Sequence, residues 1–146
     1  MSAPMSMEIR SFEDDDEDAV VELWSRCGLL RPWNNPHKDI ERKRRVQRKL
    51  FLIGTIEEKV VGSVMVGYDG HRGWINYLAV DPGHQRSGLG RALMDAAQQQ
   101  LRRIGCPKIN LQIRHDNLEA IAFYERIGYT EDVVVSFGKR LEKDDG

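Results

Sequence analysis

The 146-residue sequence has only two cysteines and five prolines, and it contains no long apolar run. Two cysteines do not provide a disulfide framework, and 13 glycines with five prolines are too few for a collagen-like chain or a linker. No segment approaches the roughly 18 consecutive apolar residues of a membrane span. The first residues lack the basic start and apolar core of a signal peptide, so we expect a cytoplasmic protein that does not enter a membrane.

An excess of charge of one sign is also missing, because 22 basic residues face 23 acidic ones and the net charge is −1. This balance argues against a general nucleic-acid coat, and we expect no nucleic-acid partner. The exception is the segment 38–49, in which seven basic residues accompany only Asp39 and Glu41. Such a run usually forms a solvated helix face, although it could attract an acidic acceptor or partner.

A chain of this length is one domain by the usual size range, and its hydrophobic residues, 40% of the total, suffice for one core. We expect a single domain over residues 7–141, a disordered leader over residues 1–6 and a loose acidic tail over residues 142–146. The four histidines and two cysteines show no metal-ligand spacing, so we expect no metal.

The hydrophobic period predicts elements in the order β-α-α-β-β-β-α-β-α-β. The predicted strands cover residues 7–11, 50–56, 60–68, 74–80, 108–114 and 129–141, and the predicted helices cover residues 14–28, 36–49, 88–104 and 117–127. The second helix is expected to reach the core through Ile40, Val46 and Leu50. The links between the three central strands are too short for crossovers, so these strands form an antiparallel meander. The fold class is therefore a mixed α/β sheet (α+β) with helices on both faces.

A glycine-containing loop, residues 85–90, lies between a predicted strand and the longest predicted helix. Glycine lets the backbone approach a ligand, and the first N–H groups of a helix attract anions, phosphate above all. Leu89 occupies the position of the Walker lysine and Leu93 that of the third small residue of a dinucleotide fingerprint, so neither motif is complete. The alternative is a helix that simply begins with Gly88 and Gly90.

The loop sequence Gln-Arg-Ser-Gly-Leu-Gly (residues 85–90) matches the Q/R-x-x-G-x-G/A motif of the GNAT superfamily of N-acetyltransferases. Residues 77–82 resemble the strand that leads into this motif, and residues 117–129 resemble the C-terminal signature of that family. The resemblance extends over about residues 7–140. The stretches 30–34 and 67–73 further resemble the small bacterial YpeA-like branch.

The resemblance implies a GNAT-like fold, in which a mostly antiparallel twisted sheet holds an acetyl group between two splayed strands. It also implies acetyl-CoA as the co-substrate. The backbone amides of residues 86–90 would hold the CoA pyrophosphate, and the strand before them would pair with the pantetheine arm. The cofactor-binding residues expected on this basis are Leu78, Ala79, Val80, Gln85, Arg86, Ser87, Gly88, Leu89, Gly90, Arg91 and Asn117.

The implied reaction is direct transfer of the acetyl group to a primary amine of a small molecule or a protein, within a ternary complex. A backbone N–H at Leu78 or Ala79 would polarise the thioester carbonyl. Tyr124 would act as the general acid, since a phenol with a pKa of about 10 is a sensible proton donor to a thiolate. The alternative for Tyr124 is a core aromatic, because Phe123 and Tyr129 are its neighbours.

The general base is harder to identify from the sequence. Some family members use a Glu near the start of the central strand, where this chain has Trp74. Asp69 or His71 in the preceding turn, or a chain of water molecules, are the candidate replacements. A single histidine in a turn is more often a solvated side chain.

The acceptor pocket in this family is shaped by the loop between the first two helices and by nearby strand ends. The candidate lining residues are Arg31, Trp33, Asn34, Tyr68, Asp69, Arg72 and Asn76. Trp33 would pack against an acceptor or, alternatively, anchor its loop to the core. The missing base also leaves open a non-catalytic acyl-CoA-binding or sensing module. A free sheet edge and the final strand are compatible with a homodimer.

Overall fold

The computed structural model describes residues 6–144, so residues 1–5 of the expected leader lie outside the described residues. The strands are β1 (Glu8–Ser11), β2 (Phe51–Ile56), β3 (Lys59–Tyr68), β4 (Gly73–Val80) and β5 (Ile109–Leu111). The helices are α1 (Glu17–Arg26), α2 (Pro36–Arg45), α3 (Leu89–Arg103) and α4 (Leu118–Arg126). This order confirms the predicted elements up to α4.

The five strands form one sheet in the order β1-β2-β3-β4-β5. The pairs from β1 to β4 are antiparallel, which confirms the predicted meander, and β4 pairs with β5 in parallel. The parallel ladder is short, since it joins only residues 73–75 of β4 to residues 109–111 of β5. Beyond Ile75 the two strands separate, as expected for the splayed pair.

A β-bulge interrupts β4 next to this separation. Ser63 of β3 lies opposite Ala79, and Met65 lies opposite Asn76, so β4 has one residue more than β3 in this interval. Tyr77 has a φ of 52°, a left-handed conformation that is unusual for a bulky residue. A bulge of this kind leaves one residue unpaired and redirects the strand.

Helices cover both faces of the sheet, as predicted, and each face has its own core. On one face, α1 and α2 bury Trp24 and Ile40 against Phe51 and other residues of the sheet. On the other face, α3 buries Leu93 and Leu101, with their neighbours, against the strands. The partly buried rings of α4 pack against the second core.

The second helix is shorter than predicted. It ends at Arg45 because Val46 is extended and Gln47 adopts a left-handed φ of 53°. The prediction of Val46 as a core residue is wrong, since its side chain is 59% exposed, whereas Ile40 and Leu50 are buried as predicted.

The final strand predicted over residues 129–141 is absent from the described structure. Its valines have a high strand propensity, but Val133, Val134 and Val135 are 76–101% exposed. Propensity alone does not form a strand, because a strand needs a ladder of backbone partners. Side chains hold the segment near β5 instead: the Asp132 carboxylate accepts hydrogen bonds from Lys108 and Asn110.

The acidic tail, expected to be loose, makes one specific contact. The Asp144 carboxylate accepts two hydrogen bonds from the Arg42 guanidinium, at 2.6 and 3.1 Å, and one from the backbone N–H of Asn35. Asp144 is only 3% exposed. These bonds hold the pKa of its carboxyl well below the ordinary range, at about 2, and they join the end of the described chain to the start of α2.

Candidate functional site

A cavity of about 780 Å³ lies where β4 and β5 separate. One wall is formed by residues 74–78 of β4 and the opposite wall by residues 111–114, while α2, α4 and the loop after α1 complete it. The structure thus brings together seven of the residues singled out in the sequence: Arg31, Trp33, Asn34, Asn76, Leu78, Asn117 and Tyr124. Tyr124, the residue expected to act as the general acid, therefore lines the same cavity as the residues expected to bind the acceptor.

Tyr124 is positioned by α4 and by its aromatic neighbours. Its ring meets the rings of Phe123 and Tyr129 edge to face, at centroid distances of 5.1 and 5.7 Å. Burial, with a smaller contribution from Tyr129, raises the pKa of Tyr124 above its ordinary value. The side chain therefore packs in the aromatic cluster, remains a neutral phenol at neutral pH and borders the cavity, so packing in the core does not exclude the expected role.

The bulge on β4 is fixed from the side of α1. The Ser63 hydroxyl donates to the carbonyl of Tyr77 at 2.8 Å and accepts from the Trp24 indole at 2.9 Å. The rings of Trp24 and Tyr77 stack with centroids 3.7 Å apart, and the Tyr77 hydroxyl donates to Asp39 at 2.6 Å. These contacts hold residues 76–78 of β4, which have no partner on β5, against the cavity in a defined conformation.

Helix α3 begins without a side-chain cap. Gly88 is its N-cap residue, with a φ of 82° and no capping hydrogen bond, so the first N–H groups of the helix have no partner of this kind. A side chain added at Gly88 would meet nothing within 4 Å. The beginning of α3 is therefore an open site whose partial positive charge favours an anion.

Gly90 lies at a close contact between α3 and α4. A Cβ at this position would lie 3.2 Å from Cζ of Phe123 and 3.8 Å from Cγ2 of Val80. The absence of a side chain therefore lets α4 pack closely against the first turn of α3. Gly90 thus lies where the first turn of α3 contacts α4, the helix that carries Tyr124.

The loop before α3 is held by contacts within itself. The Gln85 side chain donates to the carbonyl of Val80 at 3.3 Å, so it closes the loop onto the end of β4. The Ser87 hydroxyl donates to the carbonyl of His84, and Arg86 adopts a left-handed φ of 65°. These contacts give the loop a defined shape.

Asn117 and Trp33 both border the cavity, but in different ways. The Asn117 side-chain oxygen caps α4 by accepting from the backbone N–H of Ala120 at 3.1 Å. Trp33 is 48% exposed, and the Arg114 guanidinium lies 5.3 Å from its ring centroid. Trp33 therefore forms a wall of the cavity and does not anchor its loop in the core.

The turn between β3 and β4 does not reach the cavity, so Tyr68, Asp69, His71 and Arg72 are not among its lining residues. The Asp69 carboxylate accepts hydrogen bonds from the backbone N–H groups of Arg72 and His71 and from the indole of Trp74. These bonds lower the pKa of Asp69 to about 2. A carboxylate with so low a pKa is a weak proton acceptor, and its contacts shape the turn.

Lys43 is a cavity residue that the sequence analysis missed. It belongs to the basic run that we expected to be a solvated helix face, yet it is only 8% exposed. Its ammonium group donates to the carbonyl of Val66 at 2.5 Å, and burial lowers its pKa to about 8. The spacing contains the missed signal, because Lys43 follows buried Ile40 by three residues and so shares its face of the helix.

Metal-binding proteins and membrane-spanning proteins each have a recognisable structural feature. Among residues 6–144, no cluster of three or more His, Cys, Asp or Glu side chains is arranged to bind a metal ion. No helix within the same residues has the length and apolar character needed to cross a membrane.

Comparisons with known proteins identify the family of this chain. Residues 10–129 match the model of the acetyltransferase (GNAT) family. The chain is 49% identical over 139 residues to an acetyltransferase of Sodalis glossinidius, covering 94% of this chain and 98% of the relative.

Two solved structures share the fold. The ribosomal-protein-S18-alanine N-acetyltransferase from Escherichia coli is 27% identical, with a TM-score of 0.74 over 88% of this chain and 80% of its own. AAC(6')-Iy, solved with a bisubstrate analogue of CoA, is 16% identical, with a TM-score of 0.76 over 92% of this chain and 99% of its own. From the family match and the close relative, we conclude that the chain belongs to the GNAT family of acetyltransferases and is an acyltransferase.

Proposed function

We propose that the protein transfers the acetyl group of acetyl-CoA directly to a primary amine in a ternary complex. The observation that carries this proposal is that the Tyr124 ring lines the same cavity as residues 76–78 of β4, which have no partner on β5. Neither feature alone is specific to acyl transfer. Together they supply a proton donor and a strand edge at which a thioester can lie.

The CoA moiety is proposed to extend from the beginning of α3 to this cavity. The pyrophosphate would bind the backbone amides near Gly88, with Gln85, Arg86, Ser87, Leu89, Gly90 and Arg91 forming its surroundings. The pantetheine arm would pair with the free edge of β4 at Leu78, Ala79 and Val80, as an added strand pairs with a sheet edge. The CoA analogue bound to AAC(6')-Iy, which has the same fold, supports this donor.

The chemistry follows from the groups at the cavity. A neutral amine attacks the thioester carbonyl, whose developing negative charge is stabilised by a backbone N–H at the β4 bulge. Collapse of the tetrahedral intermediate breaks the C–S bond, and Tyr124 protonates the departing sulfur. We assign the amine proton to water in the cavity, since Asp69 and His71 do not line it.

The finer predictions from the sequence concern the biological setting. The YpeA-like branch, a cytoplasmic location and a homodimer remain predictions. Two proteins that share the fold are named for different kinds of amine, one for the alanine of ribosomal protein S18 and the other for aminoglycosides. Both a peptide amine and a small molecule are therefore suitable acceptors to test.

The test is an amine panel with acetyl-CoA. Purified protein is incubated with small amines and short peptides, released thiol is measured, and acetylated product is identified by mass spectrometry. Direct transfer predicts intersecting initial-rate plots and no acetylated enzyme. Parallel plots with a covalently acetylated enzyme would contradict the ternary complex, and CoA binding without any acetylated product would favour the sensing module.

A further inference from the structure

The charged residues that line the cavity are mostly cationic. Four of them are basic, and the single acidic one is Asp39. The basic ones are Arg31, Arg42, Lys43 and Arg114. This excess contrasts with the near-zero net charge of the whole chain.

The one carboxylate in the cavity is already engaged. Asp39 accepts hydrogen bonds from the Tyr77 hydroxyl at 2.6 Å and from Arg42 at 3.3 Å. Arg42 is in turn paired with Asp144. Asp39 and Asp144 thus share the single positive charge of Arg42, and the remaining cations of the cavity, Lys43, Arg31 and Arg114, form no ion pair with either carboxylate.

Lys43 is the buried member of this remaining set. Its ammonium group has three donors, and its hydrogen bond in residues 6–144 is to the carbonyl of Val66. No carboxylate of the described residues lies within ion-pair distance of Lys43, Arg31 or Arg114. A buried charge without a counter-charge is destabilising, which makes a ligand the natural source of the missing anion.

We propose that the acceptor is an amine that also carries an anionic group, a carboxylate or a phosphate, and that Lys43 binds this group. The inference rests on the proposed function, since it names the class of amine that enters the same cavity. Arg31 and Arg114 add positive potential around the cavity. A polycationic acceptor would be repelled by the same charges.

The first experiment uses the wild-type protein and needs no variant. Matched acceptors are compared: O-phosphoethanolamine with ethanolamine, and a series of ω-amino carboxylates of increasing length with their primary amides. We expect the anionic member of a pair to have a kcat/KM roughly tenfold to a hundredfold higher, mainly through KM, because its charged hydrogen bond supplies the counter-charge that the buried lysine lacks. The two kinds of pair distinguish a phosphate from a carboxylate.

The second experiment locates the effect. Lys43→Met should abolish the preference within each pair, while Lys43→Arg, which keeps the charge, should retain part of it. Lys38→Met is the matched control, because Lys38 lies on the same helix but is exposed. CoA affinity measured by calorimetry reports whether each variant is folded, and Arg114→Gln provides an independent, smaller reduction of the preference.

The outcomes separate this inference from the proposed function. Turnover of neutral and anionic amines at equal kcat/KM would overturn the inference and leave the acetyl transfer intact. Equal loss of kcat for both members of a pair in Lys43→Met and Lys43→Arg would also overturn it, in favour of Lys43 as a proton acceptor. Absence of turnover with every amine, with CoA still bound, would contradict the proposed function itself.

Discussion

The indole N–H of Trp24 donates a hydrogen bond to the Ser63 hydroxyl at 2.9 Å, and both side chains are fully buried. Trp24 belongs to α1 and Ser63 to β3, but the bond determines the shape of a third element. The Ser63 hydroxyl in turn donates a hydrogen bond to the carbonyl of Tyr77, at the bulge of β4. The helix on one face of the sheet therefore fixes the strand edge at the cavity.

Ser63→Ala should weaken both the fold and the site. The substitution removes one acceptor and one donor, so a buried indole N–H and a carbonyl lose their partner, at a cost of about 2 kcal/mol in the free energy of unfolding. We also expect a lower kcat/KM, because the bulge is no longer held. Chemical denaturation and steady-state kinetics measure these two effects. Ser11→Ala is the control, since its hydroxyl makes a single, more exposed bond to Lys49. Unchanged kinetics in a destabilised Ser63→Ala would mean that other contacts hold the bulge.

Tyr124→Phe tests the proton donor. Loss of a general acid reduces rates by about 10²–10⁴, and we expect a loss of kcat in this range with CoA affinity unchanged. Tyr129→Phe is the matched control, because its ring lies against that of Tyr124 but its hydroxyl is bound to Gln98. Equal activity of the two variants would assign Tyr124 to packing alone.

Gly88→Ala tests the anion site at the beginning of α3. Gly88 and Gly105 have the same φ of 82° and open space where a side chain would be. Alanine at either position should cost about 1–2 kcal/mol of stability through the left-handed backbone. Only Gly88→Ala should also weaken CoA binding in calorimetry, because its methyl group enters the proposed phosphate site. Equal CoA affinity in both variants would contradict a phosphate site at Gly88.

Asp69→Asn distinguishes a catalytic base from a residue that shapes a turn. The pKa of about 2 means that Asp69 stabilises the fold at neutral pH, and that this contribution is lost as the pH falls from about 4 towards 2. We expect Asp69→Asn to be less stable than the wild type at pH 7, with the difference shrinking in acid. Turnover at neutral pH should change by no more than a few-fold. A loss of kcat of a hundredfold or more would restore Asp69 as the base.

The parts of the fold predicted from the sequence are those with a strong local pattern. The meander followed from short turns, and the beginning of α3 at Gly88 followed from the glycine-containing loop between a strand and a helix. The strand predicted over residues 129–141 failed because a valine-rich run does not specify which backbone it pairs with. The bulge at Tyr77 was invisible for a similar reason, since its cause is a hydrogen bond from Ser63, a residue far away in the sequence.

The site was predictable to a comparable extent. The positions of Tyr124, Asn117 and Asn76 at one cavity were expected from the family motifs and the strand pattern. Lys43 could not be singled out within the basic segment 38–49, because composition shows the number of lysines but not which of them faces the core. Only the phase of the helix, set by Ile40, distinguishes it from its exposed neighbours.

The buried charge of Lys43 should be measurable as a dependence of stability on pH. Burial lowers its pKa from 10.5 to about 8, so between these values the unfolded chain binds more protons than the folded protein. Raising the pH through this window therefore stabilises the wild type. At pH 7 the full penalty is present, and Lys43→Met should be more stable by roughly 1–3 kcal/mol.

The gain in Lys43→Met should shrink towards zero as the pH approaches 10.5, whereas Lys38→Met should show no such trend. Thermal or chemical unfolding of the wild type, Lys43→Met and Lys38→Met between pH 7 and 10.5 measures these differences in stability. A pH-independent difference would show that Lys43 is solvated in its charged form. A bound anionic amine should reduce the difference in stability between the wild type and Lys43→Met at pH 7. It pairs with Lys43 and therefore stabilises only the wild type.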